Sequence, residues 1–215
     1  QAMQKLRHSF NADAESYERT RPVLPEVVFD DLCESADLIP GSRVLEIGCG
    51  TGQATRPLAR RGLSITALEL GPQLADLARD RLAEFPSVRV VNASFEGWDG
   101  DGPMDAVVAA NSLHWIDPHV RFAKPARLLR QGGVLAVIRI RWAAPDVSDP
   151  FLDAVQEDYR AVEYPGDPPP PADQLQPWHF PPEAGAWFSE ILATRYRFTA
   201  TLSAADYLAN LSTQS

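Results

Sequence analysis

Val44-Leu45-Glu46-Ile47-Gly48-Cys49-Gly50-Thr51-Gly52 sets an apolar run directly against three glycines in alternate positions. Val44, Leu45 and Ile47 are apolar and stop at a glycine, which predicts a buried strand. Gly48, Gly50 and Gly52 allow backbone angles and close approaches that a Cβ would block. From Gln53 the period turns helical: Ala54, Leu58 and Ala59 share a face, and Gly62 is placed to end the helix. The unit is strand, glycine loop, helix. In an open α/β sheet such a loop lies at the carboxyl end of the strand, where ligands bind. A second strand is expected over residues 64–70. Its Glu69 follows the loop by about 20 positions, the distance at which a carboxylate reaches a ribose diol.

The dinucleotide fingerprint is G-x-G-x-x-G. Here the order is G-x-G-x-G, with Glu46 two residues before the first glycine, and the missing spacer argues against a pyrophosphate cradle. The E-x-G-x-G-x-G loop resembles the cofactor loop of class I S-adenosylmethionine-dependent methyltransferases. In that family the loop wraps the amino-acid and ribose end of the cofactor, and the later acid holds the ribose hydroxyls. The resemblance implies those roles for Gly48, Gly50, Gly52 and Glu69. Glu46, Cys49, Thr51 and Leu70 are the neighbouring cofactor-site candidates. A glycine-rich turn with no ligand is the plain alternative.

Composition narrows the partners. The chain has 215 residues and a formal net charge of −9, with no Lys/Arg-rich block to offset it. Such a surface repels phosphate backbones, so a nucleic-acid substrate is not expected. Two cysteines, Cys33 and Cys49, form neither a C-x-x-C pair nor a zinc spacing. No metal is expected. Cys49 reads as a small residue that fits the loop, not as a redox centre. With no run of 18 apolar residues and no signal peptide at the N-terminus, a cytoplasmic protein off the membrane is the expectation. Oligomeric state is left open.

Ahead of the glycine loop, Phe10, Ala14 and Tyr17 lie on one helical face and Arg21-Pro22 follow. The pattern F-x-x-x-A-x-x-Y-x-x-x-R-P resembles the N-terminal lid of a methyltransferase subgroup that includes trans-aconitate methyltransferase-like enzymes. There the tyrosine and arginine lie close to the cofactor, which makes Tyr17 and Arg21 cofactor-site candidates. An amphipathic helix packed on the sheet is the alternative.

Further helices are expected over residues 24–38 and from Pro72 to about Phe85-Pro86, with strands over 88–93 and 105–110. A helix is expected from near Asp117-Pro118 to Gly132-Gly133, kinked or broken early by Pro125. A fifth strand is expected over 134–140. This alternation predicts a Rossmann-like doubly wound, mostly parallel α/β sheet with helices on both faces. The resemblance implies order 3-2-1-4-5 followed by two more strands.

Ten of the 19 prolines fall between Pro145 and Pro182, with Trp178, His179 and Phe180 among them and Trp187 just beyond. A plain solvated linker rarely carries so many aromatics. A lid over the substrate is preferred to a surface linker. Residues 194–203 alternate as a strand would, and 204–211 read as a short helix. The expected organisation is one methyltransferase domain: an N-terminal helical lid (1–40), a cofactor-binding core (41–142), a proline-rich substrate-side insertion (143–193), and a late strand and helix (194–215). A final C-terminal strand is expected to be missing from the chain. The resemblance covers about residues 5–142 well and the remainder weakly.

The resemblance places Ser94 and Phe95 beside the adenine, although no aspartate stands at Asn92, Ala93 or Ser94, where many relatives carry one. The strand end Asn111-Ser112-Leu113-His114-Trp115 lacks the Asn/Asp-Pro-Pro-aromatic motif of nucleobase methylation and resembles small-molecule methyltransferases instead. Asn111 is a cofactor-site candidate there. His114 is a candidate general base, since histidine titrates near neutral pH, or else simply holds the loop. Trp115, Trp142 and Trp178, with His114, are candidate substrate walls. The expected function is methyl transfer from S-adenosylmethionine to a small molecule by in-line displacement, with alignment as the main device. A domain that binds cofactor without catalysis, or serves as a partner subunit, stays open. So, less favoured, does a nicotinamide-dependent oxidoreductase.

Overall fold

A computed structural model describes residues 21–100, 102–162, 168–176 and 178–212. Tyr17 and the remainder of the 1–20 segment lie outside the described residues. The elements run α1 (Glu26–Ser35), β1 (Arg43–Ile47), α2 (Thr55–Arg60), β2 (Ser64–Glu69), α3 (Pro72–Leu82), β3 (Val88–Asn92), β4 (Met104–Ala110), α4 (Ala123–Leu128) and β5 (Leu129–Ile138). Beyond these come α5 (Pro150–Ala161) and α6 (Ala204–Ser212), with short 3-10 turns at Leu113–Trp115 and Pro182–Ala186.

The five strands form one parallel sheet in the order β3-β2-β1-β4-β5. β1 is central, and Val44, Leu45, Glu46 and Ile47 are all buried. That is why it reads as a nearly unbroken apolar run: a parallel strand covered on both faces has no solvent side to alternate with. From β1 the chain steps outward through β2 to β3, then returns to the other side of β1 with β4. The reversal lies between β1 and β4, and the crevice outside their carboxyl ends is where this fold places ligands. The α/β doubly wound class expected from the sequence is the class observed.

Three expectations are corrected. The helix expected from Asp117 to Gly132 is confined to α4, preceded by turns. Pro125 is the third residue of α4, and its missing N–H interrupts an i→i−4 series in which Lys124 N donates to the Val120 carbonyl at 2.9 Å and Ala126 N to the Phe122 carbonyl at 3.1 Å. The helix stops at Leu128, soon after the proline. Gly132 and Gly133 do not end a helix. They lie inside β5, where pairing jumps from Met104–Leu129 to Ala106–Val134. A Cβ on Gly133 would stand 2.9 Å from the Arg130 carbonyl oxygen, so the glycine serves the bulge. Residues 194–203 form no strand. Within them Tyr196 packs against the core and its hydroxyl donates to Asp31 of α1 at 2.6 Å.

The chain divides into two units, one made of the sheet portion up to Ile138 together with the residues from Pro182 onward, the other Arg139–Pro181. In the second unit Asp149 caps α5, its carboxylate accepting from Phe151 N at 2.9 Å. Ala144 N donates to the Pro170 carbonyl at 2.9 Å, and Arg141 donates to the Gln176 carbonyl at 2.8 Å. The proline run is thus tied back to the start of its own unit. No helix among the described residues is long and apolar enough to cross a membrane.

Candidate cofactor site

The site is assembled from the carboxyl ends of β1, β2 and β4. All three loop glycines take positive φ: Gly48 at 67°, Gly50 at 57° and Gly52 at 92°. Two of them also face protein neighbours. A Cβ on Gly48 would stand 2.9 Å from Ser112 Cβ, and one on Gly52 would stand 2.8 Å from Leu82 Cδ1. The loop is therefore pressed between the end of β4 and α3, and a side chain at either point meets both a strained φ and a close neighbour. Ser112 Oγ also donates to the Ile47 carbonyl. This bond joins the ends of β1 and β4 across the reversal of strand order.

Glu69, at the end of β2, organises the far side. It is buried at 8% exposure. One carboxylate oxygen accepts from Gly50 N at 2.8 Å and the other from Gly71 N at 2.8 Å. One side chain thus fixes both the glycine loop and the entry into α3. Both carboxylate oxygens are engaged by backbone amides at the ligand end of the sheet. Asn92, paired with Glu69 in register, donates through Nδ2 to the carbonyls of Glu69 and Leu70, each at 2.9 Å.

Glu46 sits one layer deeper. It is 1% exposed, and Thr55 Oγ1 of α2 donates to its carboxylate at 2.6 Å. Burial, reinforced by the nearby Glu69 charge, pushes its carboxyl up to about 7 against the opposing Thr55 bond. The same burial, with both glutamates nearby, pushes the Cys49 thiol well above its ordinary value. Cys49 therefore stays protonated at neutral pH and lacks the thiolate that redox chemistry uses. Thr51 is 3% exposed, and its buried hydroxyl has no hydrogen-bond partner among the described residues.

At the end of β4, Asn111 takes φ 52°, a left-handed conformation uncommon outside glycine and concentrated at functional sites. Its N–H donates to the Ile138 carbonyl at 2.8 Å. His114 is exposed, with its ring 4.7 Å from that of half-buried Trp115. Ser94 Oγ accepts from Gly97 N at 3.1 Å, and Phe95 is 2% exposed. Arg21 is half-buried. Trp142 and Trp178 belong to the Arg139–Pro181 unit, where Arg139 lies over the Trp178 ring and Phe180 meets it edge-on. Among the described residues no group of His, Cys, Asp and Glu could hold a metal ion.

The structure thus brings Glu46, Gly48, Cys49, Gly50, Thr51, Gly52, Glu69 and Leu70 together around the ends of β1 and β2. Sequence reasoning missed Thr55 and Asn92. Thr55 is a helix-start residue whose only signal is a buried acid nine positions earlier. The sequence around Asn92 signals only the absence of an acid.

Residues 44–133 match the family model of the methyltransferase domain. Over 160 residues the chain is 34% identical to an uncharacterised methyltransferase of Mycobacterium bovis, covering 74% of this chain and 61% of the relative. Over 154 residues it is 30% identical to a demethylmenaquinone methyltransferase of Tropheryma whipplei, covering 66% of this chain and 63% of the relative. The chain thus spans less than two thirds of the length of either curated relative. Among solved structures, the CcbJ methyltransferase from Streptomyces caelestis superposes with a TM-score of 0.51 at 26% identity, covering 61% of this chain and 57% of that one.

The residues around the ends of β1 and β2 have the chemistry to hold a nucleoside-bearing cofactor. The Glu69 carboxylate is fixed beside the loop, the loop backbone is held open by positive φ, and the buried Thr51 hydroxyl has no hydrogen-bond partner among the described residues.

Proposed function

We propose that this chain, whose core is that of a class I S-adenosylmethionine-dependent methyltransferase, methylates a small-molecule acceptor. The observation that carries the reading is the buried Glu69 carboxylate, fixed by the amides of Gly50 and Gly71 at the ligand end of the sheet beside the glycine loop. When bound, the cofactor supplies a methyl group on a sulfonium leaving group. The chain's own task is then alignment. Glu69 accepts from the ribose hydroxyls, the 48–52 loop backs the amino-acid end, and the 111–115 segment forms the acceptor side. Holding two reactants in line removes much of the barrier to such a displacement. His114 takes a proton only where the acceptor carries one on the attacking atom.

Two features support a small acceptor. The β4 end has no nucleobase-amine motif, and a net charge of −9 disfavours nucleic acid. The subgroup we favour is the trans-aconitate methyltransferase-like one, on the Tyr17/Arg21 pattern and the Leu113-His114-Trp115 strand end. In that reading the proline-rich unit, with Trp142 and Trp178, serves as a substrate lid, and the protein works in the cytoplasm. Methyl-tritiated S-adenosylmethionine tests the acceptor class. Incubated with the protein and cell extract, it is expected to label the low-molecular-weight fraction. Label confined to RNA, DNA or protein would contradict the proposal.

A further inference from the structure

The connection from β3 to β4 has no helix among its described residues. Its carbonyls therefore lack the partners a helix supplies, and a buried carbonyl left without one is costly. Lys124 of α4 supplies them. Its ammonium donates to the carbonyl oxygens of Phe95 at 2.7 Å, Glu96 at 3.0 Å and Trp98 at 2.5 Å. All three of its N–H groups are thus matched by one short loop. The same nitrogen lies 5.2 Å from the centroid of the Phe95 ring, within cation–π range. Phe95 and Trp98 are buried at 2% and 8% exposure. A second tie comes from Asp117 N, which donates to the Glu96 carboxylate at 3.3 Å.

This loop leaves the carboxyl end of β3, beside the β2 end that carries Glu69, and so borders the ligand crevice. No carboxylate stands at Asn92, Ala93 or Ser94 to read a purine amino group. Recognition there falls to the loop backbone, and a backbone recognises only if its position is held. We infer that Lys124 is a positioning residue for the cofactor site, fixing the 94–98 loop so that its main chain discriminates the purine edge. The inference rests on the S-adenosylmethionine reading of the site.

Calorimetry with S-adenosylhomocysteine and S-inosylhomocysteine tests it, on the wild type, Lys124→Met and Lys124→Gln. The wild type is expected to prefer the adenosyl ligand by about fivefold or more, the scale of one hydrogen bond. Lys124→Met is expected to lose most of that preference, through weaker adenosyl binding. Lys124→Gln keeps two donors without the charge and falls between. Hydrogen exchange of the 94–98 amides in the ligand-free protein is expected to speed up in both variants. A variant that keeps the wild-type preference, or weakens both ligands equally, overturns the inference; equal weakening is what a general loss of structure would give. If Lys124→Met does not fold, Lys124→Gln decides on the same criteria. A wild type that binds neither ligand overturns the cofactor reading itself, and this inference with it. A wild type that binds, with variants unaffected, overturns this inference alone.

Discussion

Glu69→Ala is expected to weaken S-adenosylhomocysteine binding at least tenfold, a loss of about 1.4 kcal/mol or more. A hydrogen bond to a charged group contributes about 1.5–3 kcal/mol, and a diol offers two. The substitution also strips the acceptors from Gly50 N and Gly71 N. The glycine loop and the start of α3 lose their common anchor, so a drop in thermal stability should accompany the lost affinity. Glu69→Gln separates the two effects. It keeps the shape but turns one oxygen into a donor, which must face one of the two amides that now donate to it. Its affinity should fall nearly as far as that of Glu69→Ala. Calorimetric titration decides the point: an unchanged affinity in both variants removes Glu69 from the site.

A second large effect concerns pH. Glu46 is buried and its carboxyl is raised to about 7 from an ordinary 4.5. Between those values the folded chain keeps a proton that the unfolded chain has released. Stability therefore falls as pH rises through this window. The contribution is fully present below 4.5 and gone above about 7. In size it is about 3 kcal/mol across the whole window. Glu46→Gln carries no ionisable group there but keeps an oxygen for the Thr55 hydroxyl. Urea unfolding at pH 5 and pH 7.5 should show the wild type losing about 2 kcal/mol relative to the variant. Parallel pH profiles for the two proteins would contradict the assignment.

The parts of the fold legible in the sequence are those where one local rule dominates. β1 announces itself because a strand covered on both faces is nearly all apolar, with Glu46 the exception among its buried residues. Glu69 is found by spacing because strand, loop and helix lengths in this unit vary little. The glycines were read as room for a ligand. For Gly48 and Gly52 the structure adds a second reason, the press of Ser112 and Leu82, which depends on partners far away in sequence.

Where two structures share one local signal, the reading failed. A helical pattern from Asp117 suits either a long helix or a run of turns before a short one, and here turns precede α4. A Gly-Gly pair suits a helix end or a bulge, and Gly132-Gly133 serve the bulge in β5. Alternation over 194–203 suits any extended chain with one packed side; here Tyr196 meets α1 through Asp31 and no sheet neighbour is needed. Lys124 had no local signature at all. Its three acceptors lie 26–29 residues earlier, and only the folded chain brings them to one nitrogen.

The central claim is that the β1 loop and Glu69 form a pocket for S-adenosylmethionine and not for a dinucleotide. Calorimetric titration of the wild-type chain with S-adenosylhomocysteine and, separately, with NAD tests it most directly. Saturable binding of the sulfur nucleoside with no heat from NAD is the predicted result. Tight NAD binding with no response to S-adenosylhomocysteine would contradict the account.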